Sequence, residues 1–151
     1  MNHNTAIIKV CGENLSSFFQ NIISNDINKL SNDSLLYTTM LSPQGKFLYE
    51  FFLKKEQEYF FIEINKNESE SFILDLKKYD LRENLKICFL KDARVKVLIF
   101  DEAIKLMGNL FSLNSHEKSN RFQAFEDPRA KGLFIRVWIK DIKETKKFSN
   151  P

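Results

Sequence analysis

Three strand-like segments in succession, at residues 35–41, 47–53 and 59–64, constrain the fold of this chain more than any other feature of its sequence. Each segment is rich in aliphatic, β-branched and aromatic residues, which favour strands. The turn between the first two contains Pro43 and Gly45, and the turn before the third is the charged stretch 54–58. Three strands in a row joined by short polar turns predict an antiparallel meander.

Helices and further strands are predicted on both sides of this meander. Apolar residues at helical spacing predict two amphipathic helices, one carrying Leu15, Phe18, Phe19, Ile22 and Ile23 and one carrying Phe72, Ile73, Leu76 and Tyr79. Asn67 is predicted to cap the second helix. A third helix is predicted over 101–110 with Ile104, Met107 and Leu110 facing inward. Further strands are predicted at 6–11, 86–90, 94–100, 121–125 and 133–139. Because the strands occur in runs, the predicted class is α+β with largely antiparallel sheets and packed helices.

The charge balance and the cysteines argue against several classes of protein. The 151 residues include 23 basic and 20 acidic ones, a net charge of +3, and the two signs are interspersed. This pattern is typical of a globular surface and predicts no direct nucleic-acid partner. Cys11 and Cys88 form no CxxC pair, so we interpret both as buried thiols in a reducing compartment. We find no secretory signal and no long apolar run, and we expect a cytoplasmic protein with no membrane partner.

Four segments of the chain resemble, in the same order, the motifs of one protein superfamily. They are residues 10–27, the hairpin 40–51, the helix end 76–85 and the segment 127–136. They are similar to the "G-x-D-A…F-L-Q…T-N-D-V", "L-x-P-x-G-K-x-L-x-D", "L-x-x-Y-x-L-R-x-x-V" and "D-P-R-x-x-G-L-G-x-R" motifs of aminomethyltransferase-type folate proteins. The last motif resembles that of the YgfZ branch, which supports iron–sulfur cluster assembly. The resemblance covers about residues 6–138.

This resemblance implies the aminomethyltransferase folate-binding fold, with a ferredoxin-like subdomain and with tetrahydrofolate as the cofactor. Residues 1–46 would be the N-terminal part of the first folate-binding domain, residues 47–125 the ferredoxin-like second domain, and residues 126–151 the start of the return into the first domain. The family's Lys-Gly-Cys-Tyr-x-Gly-Gln-Glu motif lies downstream of the last matched segment. The chain is therefore expected to be truncated, as a gene fragment, a split gene product or a shortened chain.

Residue 49 departs from the transferase pattern. The glycine-cleavage T-protein has an Asp-Asp pair on this hairpin, and its first Asp is assigned to the folate-bound reaction. Counting from Gly45, Tyr49 and Glu50 take these two positions. A phenol with a pKa near 10 does not replace a carboxylate at neutral pH. Aminomethyl transfer is therefore disfavoured, whether the chain is an enzyme stays open, and we assign neither a catalytic residue nor a metal ligand.

Five candidate folate-binding residues lie in the first third of the chain. Asn25 and Asp26 match the loop that faces the folate channel, although Asn-Asp after a helix is also ordinary loop chemistry. Lys46 would meet the anionic glutamate tail of folate or stand solvated in a turn. Tyr49 would stack on a pterin or phenyl ring or belong to the core. Glu50 would hydrogen-bond a pterin edge.

Two arginines near the end of the chain complete the candidate folate site. Arg129 follows Asp127 and Pro128, where it would either bind a ligand carboxylate or pair with a neighbouring acid. Arg136 lies in an apolar strand and is expected to be exposed or ion-paired. Trp138 shares its parity and is a candidate for stacking on it.

Three hypotheses follow for the function. The first is a folate-binding accessory protein for iron–sulfur cluster assembly, with assembly proteins, client enzymes and a separate C-terminal fragment as partners besides folate, and with tRNA modification as a dependent process. The second is a tetrahydrofolate-dependent aminomethyl or one-carbon transferase. The third is a truncated remnant or interaction module that binds no ligand.

Overall fold

The computed structural model describes residues 4–82, 84–105 and 122–140, which form three layers. The elements in chain order are β1 (Thr5–Cys11), α1 (Leu15–Gln20), a 3-10 turn (Ile27–Lys29), β2 (Leu36–Leu41), β3 (Phe47–Glu56), β4 (Tyr59–Asn65), a second 3-10 turn (Lys66–Glu68), α2 (Ser69–Tyr79), β5 (Lys86–Phe89), β6 (Arg94–Ile99), β7 (Phe122–Glu126) and β8 (Phe134–Ile139). Residues 100–105 are helical. The α+β class is confirmed.

The middle layer is a five-stranded sheet in the order β2-β3-β4-β1-β5, and every neighbouring pair is antiparallel. The predicted meander is its β2-β3-β4 half. The elements β1, α1, β3, β4, α2 and β5 follow the β-α-β-β-α-β order of a ferredoxin-like unit, with β2 added at one edge. This unit therefore runs over residues 5–89, whereas the family resemblance predicted it at residues 47–125. The expected boundary at residues 46 and 47 falls in the β2–β3 hairpin of one continuous sheet.

The first layer consists of the two helices, which cover one face of this sheet. Strand residues alternate between faces, so Tyr49, Phe51 and Leu53 point toward the helices while Phe52 points away. Between sheet and helices lies the larger hydrophobic core, in which Phe19 and Phe72 are fully buried. The predicted apolar helix faces account for this packing.

The third layer is a three-stranded antiparallel sheet in the order β6-β8-β7, packed on the opposite face of the five-stranded sheet. The two sheets meet through a smaller apolar cluster of Ile7, Leu35, Phe52, Phe61, Val95, Phe125 and Trp138. The central sheet is thus covered on both faces, and Lys54 and Glu63, which are buried, lie between two protein layers. This interlayer space holds the candidate site.

The first helix is shorter than its apolar pattern predicts. It ends at Gln20, yet Ile22 and Ile23 are still buried. The chain continues across the sheet in an irregular path, where Ile23 forms an isolated β-bridge with Met40. The backbone N–H groups of Ile22 and Ile23 still donate to the Phe19 carbonyl, and Ile23 in addition contacts the sheet, so its burial does not require a longer helix.

Three other local predictions are corrected. Asn65, not Asn67, provides the side-chain cap, since its Oδ1 accepts from the Asn67 backbone N–H at 3.0 Å at the start of the 3-10 turn before α2. Ile104 is 57% exposed and its neighbour Ala103 is buried instead; Met107 and Leu110 lie outside the described residues. Cys11 and Cys88 are only half-buried.

None of the helices in the described ranges is long and apolar enough to cross a membrane.

Candidate functional site

A buried ionic cluster connects the two sheets. Arg136 on β8 donates to Glu63 on β4 through Nε, at 3.2 Å from Oε2, and through Nη2 to Oε1. Its Nη1 donates to Asp127 Oδ2 at 2.8 Å. All three side chains are almost completely buried. Buried charges persist only when they are paired and hydrogen-bonded, and each of these three side chains is paired within the cluster.

Two aromatic residues complete the surroundings of this cluster. Trp138 Nε1 donates to Glu63 Oε2 at 2.6 Å, so Glu63 accepts from both Trp138 and Arg136. The Arg136 guanidinium lies over the Phe52 ring, 4.1 Å from its centroid. Of the two alternatives for Arg136, ion pairing is confirmed. The ring that stacks on it is Phe52, while Trp138 binds its carboxylate partner.

Arg129 extends the cluster toward solvent. Its Nε and Nη2 donate to Asp127 Oδ1 and Oδ2 at 3.1 and 2.9 Å, and its guanidinium lies over the rings of Phe52 and Tyr37. Burial would raise the pKa of Asp127, but the hydrogen bonds from Arg129 and Arg136 outweigh it and lower that pKa to about 2. The hydrogen bond to Asp127 raises the pKa of Arg129. Asp127 is therefore ionised, and Arg129 is held by it rather than free to move.

An exposed carboxylate stands beside this arginine. The Tyr37 hydroxyl donates a hydrogen bond to Glu50 Oε2, across the β2–β3 pair. This bond, together with burial, raises the pKa of Tyr37. Glu50 itself is exposed. It presents a carboxylate that a ligand with N–H donors can approach.

These groups line a cavity of about 660 Å³ at one end of the interlayer space, which we call the ring cavity. Tyr37, Phe47 and Phe52 provide aromatic surface, and Glu50 and Arg129 provide polar groups of opposite charge. Thr5 also lines it, and its buried Oγ1 finds no hydrogen-bond partner among the described residues. The volume lies within the range of small-molecule sites, and the space is half open to solvent.

A second cavity of about 470 Å³ adjoins the first, and we call it the lysine cavity. Tyr37 and Arg129 line both cavities. Beyond them the lysine cavity is lined by Asn25, Lys29 and Lys131, from the loop before β2 and from the β7–β8 turn. The two cavities therefore meet at Tyr37 on β2, and the ring cavity extends from there across β3 to Asn65 at the end of β4 and Thr5 at the start of β1.

The structure brings together only part of the predicted folate-binding set. Glu50, Arg129 and Arg136 line the ring cavity, and Asn25 lines the lysine cavity, where its Nδ2 donates to the Tyr37 carbonyl at 3.0 Å. Asp26 is exposed and accepts from the Asn28 backbone N–H at 2.9 Å, which caps the first 3-10 turn. Its role there is local.

Lys46 and Tyr49 lie outside both cavities. Lys46 is exposed in the β2–β3 turn, where its backbone N–H donates to Ser42 Oγ at 3.2 Å. Tyr49 points to the helical side of the sheet, its hydroxyl donates to Asp75 Oδ2 at 2.6 Å, and its ring meets that of Phe72 edge-on. Burial and this bond raise the pKa of Tyr49. Neighbouring residues of one strand point to opposite faces, so Tyr49 and Glu50 do not share a site.

A solved structure with the same architecture is glycine cleavage system aminomethyltransferase T from Bartonella henselae. The TM-score is 0.68 and the sequence identity is 12%; the match covers 92% of this chain and 41% of that one. The chain is similar in fold to an aminomethyltransferase. It spans well under half the length of that protein. No protein-family model matches the sequence, and no curated protein does either.

Two residues of the site escape the sequence analysis. Glu63 is a single acidic residue within an otherwise apolar strand, YFFIEI, and it is 1% exposed. An isolated acid on a buried strand needs a partner, and this was the available signal. The sequence gives no comparable signal for Tyr37, because aromatic residues are common in strands. Within the described ranges, no three His, Cys, Asp or Glu side chains converge as metal ligands.

The ionic cluster predicts that stability falls in acid. The pKa of Asp127 is about 2 in the folded chain and 3.8 ordinarily. Its contribution, about 2 kcal/mol, is present above pH 4 and is lost as the pH falls from about 4 toward 2. We expect urea unfolding at pH 6 and pH 3 to show about half of this loss, since pH 3 lies between the two pKa values, and Asp127→Asn to reduce the pH dependence. Glu56, whose pKa is also about 2, is partly exposed, so Glu56→Gln is a control with a smaller effect. Equal pH dependence in the wild type and Asp127→Asn would contradict the assignment.

Proposed function

We propose that this chain binds a tetrahydrofolate in the ring cavity, as an accessory protein for iron–sulfur cluster assembly. The observation that carries the proposal is the position of Glu50, an exposed carboxylate at an aromatic-lined cavity beside Arg129. The fold likeness to an aminomethyltransferase supports the class of ligand. The four motif resemblances in the sequence support the YgfZ branch.

The ring cavity matches the chemistry of a reduced pterin. One edge of a pterin carries adjacent N–H donors, on the ring and on the 2-amino group, and a carboxylate accepts such a pair in bidentate fashion. Glu50 provides that carboxylate, and its Oε2 already accepts a hydrogen bond from the Tyr37 hydroxyl. Phe47, which is 60% exposed, provides a face for the ring, whereas the Phe52 ring is already covered by the two arginines. The unpartnered Thr5 hydroxyl is a further polar contact within the same wall.

The position of Tyr49 argues against aminomethyl transfer as the first choice. Tyr49 replaces the Asp that the resemblance assigns to catalysis, and its side chain is buried against α2, on the far side of the sheet from Glu50. Residue 49 therefore provides no carboxylate to the ring cavity. A binding role without transfer is consistent with that substitution.

Replacing Glu50 by Gln tests the ligand assignment. The amide keeps the shape but loses the charge and half of the acceptor pair, so affinity for tetrahydrofolate should fall about 10- to 100-fold. Calorimetry under anaerobic conditions measures this directly. Glu58→Gln, in the exposed β3–β4 turn, is the matched control and should leave affinity unchanged. Equal affinities of wild type and Glu50→Gln would show that the pterin does not bind at Glu50. No binding by the wild type would favour an interaction module without ligand.

The assembly role has its own test. Cells lacking this gene should lose activity of [4Fe–4S] enzymes, and the wild-type chain should restore it better than Glu50→Gln does. Enzymes without clusters in the same extracts are the control. Normal cluster enzyme activity in the deletion strain would contradict the accessory role while leaving folate binding intact.

One observation favours a second candidate, a one-carbon transferase. Glu50 is exposed at the ring cavity, so a carboxylate is available to a folate-bound donor even though residue 49 is not acidic. Transfer of a folate-bound one-carbon unit by the wild type, abolished in Glu50→Gln at saturating folate, would establish it. Binding without turnover would exclude it.

A further inference from the structure

A second ionic cluster joins the two sheets, away from both cavities. Glu56, at the end of β3, accepts hydrogen bonds from two lysines on the same oxygen, Oε2: Lys54 Nζ lies at 2.9 Å and Lys140 Nζ at 3.4 Å. Gln123 Nε2, on β7, donates to this oxygen as well, at 3.4 Å. We call these four residues the Glu56 cluster; none of them lines the ring cavity or the lysine cavity. Two lysines therefore share one carboxylate.

The amine of Lys140 has little contact with water. Its side chain is 14% exposed, and its Nζ lies over the Phe61 ring, 4.0 Å from the centroid. Burial lowers the pKa of Lys140, the positive charges of Lys54 and Lys9 lower it further, and the opposing effect of Glu56 does not offset them. At any given pH the amine is therefore neutral more often than that of an ordinary lysine. A neutral amine is a nucleophile, whereas an ammonium group is not.

Two neighbours of Lys140 would accommodate a negatively charged group attached to its amine. Lys54 is 3% exposed, and its charge depends on the half of Glu56 that Lys140 also uses. Gln123 Oε1 is buried and finds no hydrogen-bond partner among the described residues. A buried acceptor without a donor costs free energy. A group with both a negative charge and an N–H would give Lys54 a second anion and Gln123 a donor.

We propose that Lys140 is a carbamylation site, at which the amine takes up carbon dioxide reversibly. The neutral Nζ attacks the carbon of CO2, an N–C bond forms, one C–O π bond opens to leave a negative charge on oxygen, and one Nζ proton passes to water. The product, –NH–COO⁻, accepts from Lys54 through its oxygens and donates to Gln123 Oε1 through its N–H. Lys9, whose charge already acts on Lys140, adds a second cation to these surroundings. The proposal does not depend on folate binding.

Carbon NMR of the full 151-residue chain in ¹³C-labelled bicarbonate tests the proposal. At about pH 8 the wild type should show two carbamate resonances, one from the α-amino group, whose ordinary pKa is near 8, and one from Lys140. Lys140→Arg keeps the positive charge and should remove the second resonance only. Lys96→Arg, which changes an exposed lysine of the small sheet outside the Glu56 cluster, is the matched control and should keep both.

Two neighbouring variants should change the Lys140 resonance in opposite directions. Lys54→Met removes a cation that lowers the pKa of the amine and that binds the product, so the resonance should weaken by about 3-fold or more. Glu56→Gln removes the charge that raises this pKa and leaves Lys54 to pair with the carbamate, so the resonance should strengthen. The α-amino resonance should stay constant in both variants and serves as the internal reference.

Mass spectrometry of the wild type, after the carbamate is trapped as an ester, locates the label without any variant and decides the matter if a variant does not fold. Label on the peptide that contains Lys140 supports the proposal. Label confined to the α-amino group, or spread over the exposed lysines, overturns it. A Lys140 resonance that is equally strong in the wild type, Lys54→Met and Glu56→Gln also overturns it, because the Glu56 cluster would then have no influence on the reaction.

Discussion

Replacing Arg136 by Met should destabilise the folded chain by about 3–5 kcal/mol. The substitution leaves Glu63 in the interlayer space without its charge partner, and Asp127 with Arg129 alone. Breaking a buried ion pair from one side costs this much because the remaining charge stays desolvated. Since domains of this size are stable by only about 5–15 kcal/mol, the variant should unfold at a much lower urea concentration.

Two further variants show whether the effect comes from the unpaired charge. Arg94→Met, an exposed arginine in the same small sheet, should change stability by no more than about 0.5 kcal/mol. Arg136→Met combined with Glu63→Leu removes both charges and should recover a large part of the loss, although Trp138 then lacks its acceptor. If the double variant is as unstable as the sum of the two single variants, the charges are not coupled as the structure has them.

Restoring the transferase-like acid, Tyr49→Asp, should cost about 4 kcal/mol or more. It removes an aromatic ring from the helix-covered core, where that ring packs on Phe72, and it places a carboxylate beside Asp75. The matched control is the adjacent Glu50→Asp, which faces the other way and is exposed; it should stay within about 0.5 kcal/mol. Tyr49→Phe keeps the ring and loses one hydrogen bond, about 1 kcal/mol. A stable Tyr49→Asp variant would show that residue 49 does not belong to the core.

Much of the fold could be predicted from the sequence because its signals are local. The meander depends on strand composition and turn residues, and the burial of Phe72, Ile73 and Leu76 follows from helical spacing. The end of α1 could not be predicted in this way, since Ile22 and Ile23 keep an apolar pattern that a sheet contact also satisfies. Periodicity reports which residues are buried and not which element buries them.

The site was less accessible to sequence reasoning. Its central contact joins Glu63 to Arg136, which are 73 residues apart, and depends on how one sheet packs on another. Nothing within either strand encodes that pairing. Strand alternation alone places Tyr49 and Glu50 on opposite faces, whereas the family motif treats them as one pair.

The order of strands in the central sheet has a consequence for how the chain acquires its structure during synthesis. The first strand, β1, lies between β4 and β5, with Thr5 opposite Asn65 and Cys11 opposite Lys86. These partners are 65 − 5 = 60 and 86 − 11 = 75 residues downstream. At about 5–20 residues per second, β1 waits roughly 3–12 s for its first partner to be translated. Through that interval α1 and the β2–β3 hairpin can form, while β1, an apolar strand with both edges open, has no partner strand in the central sheet.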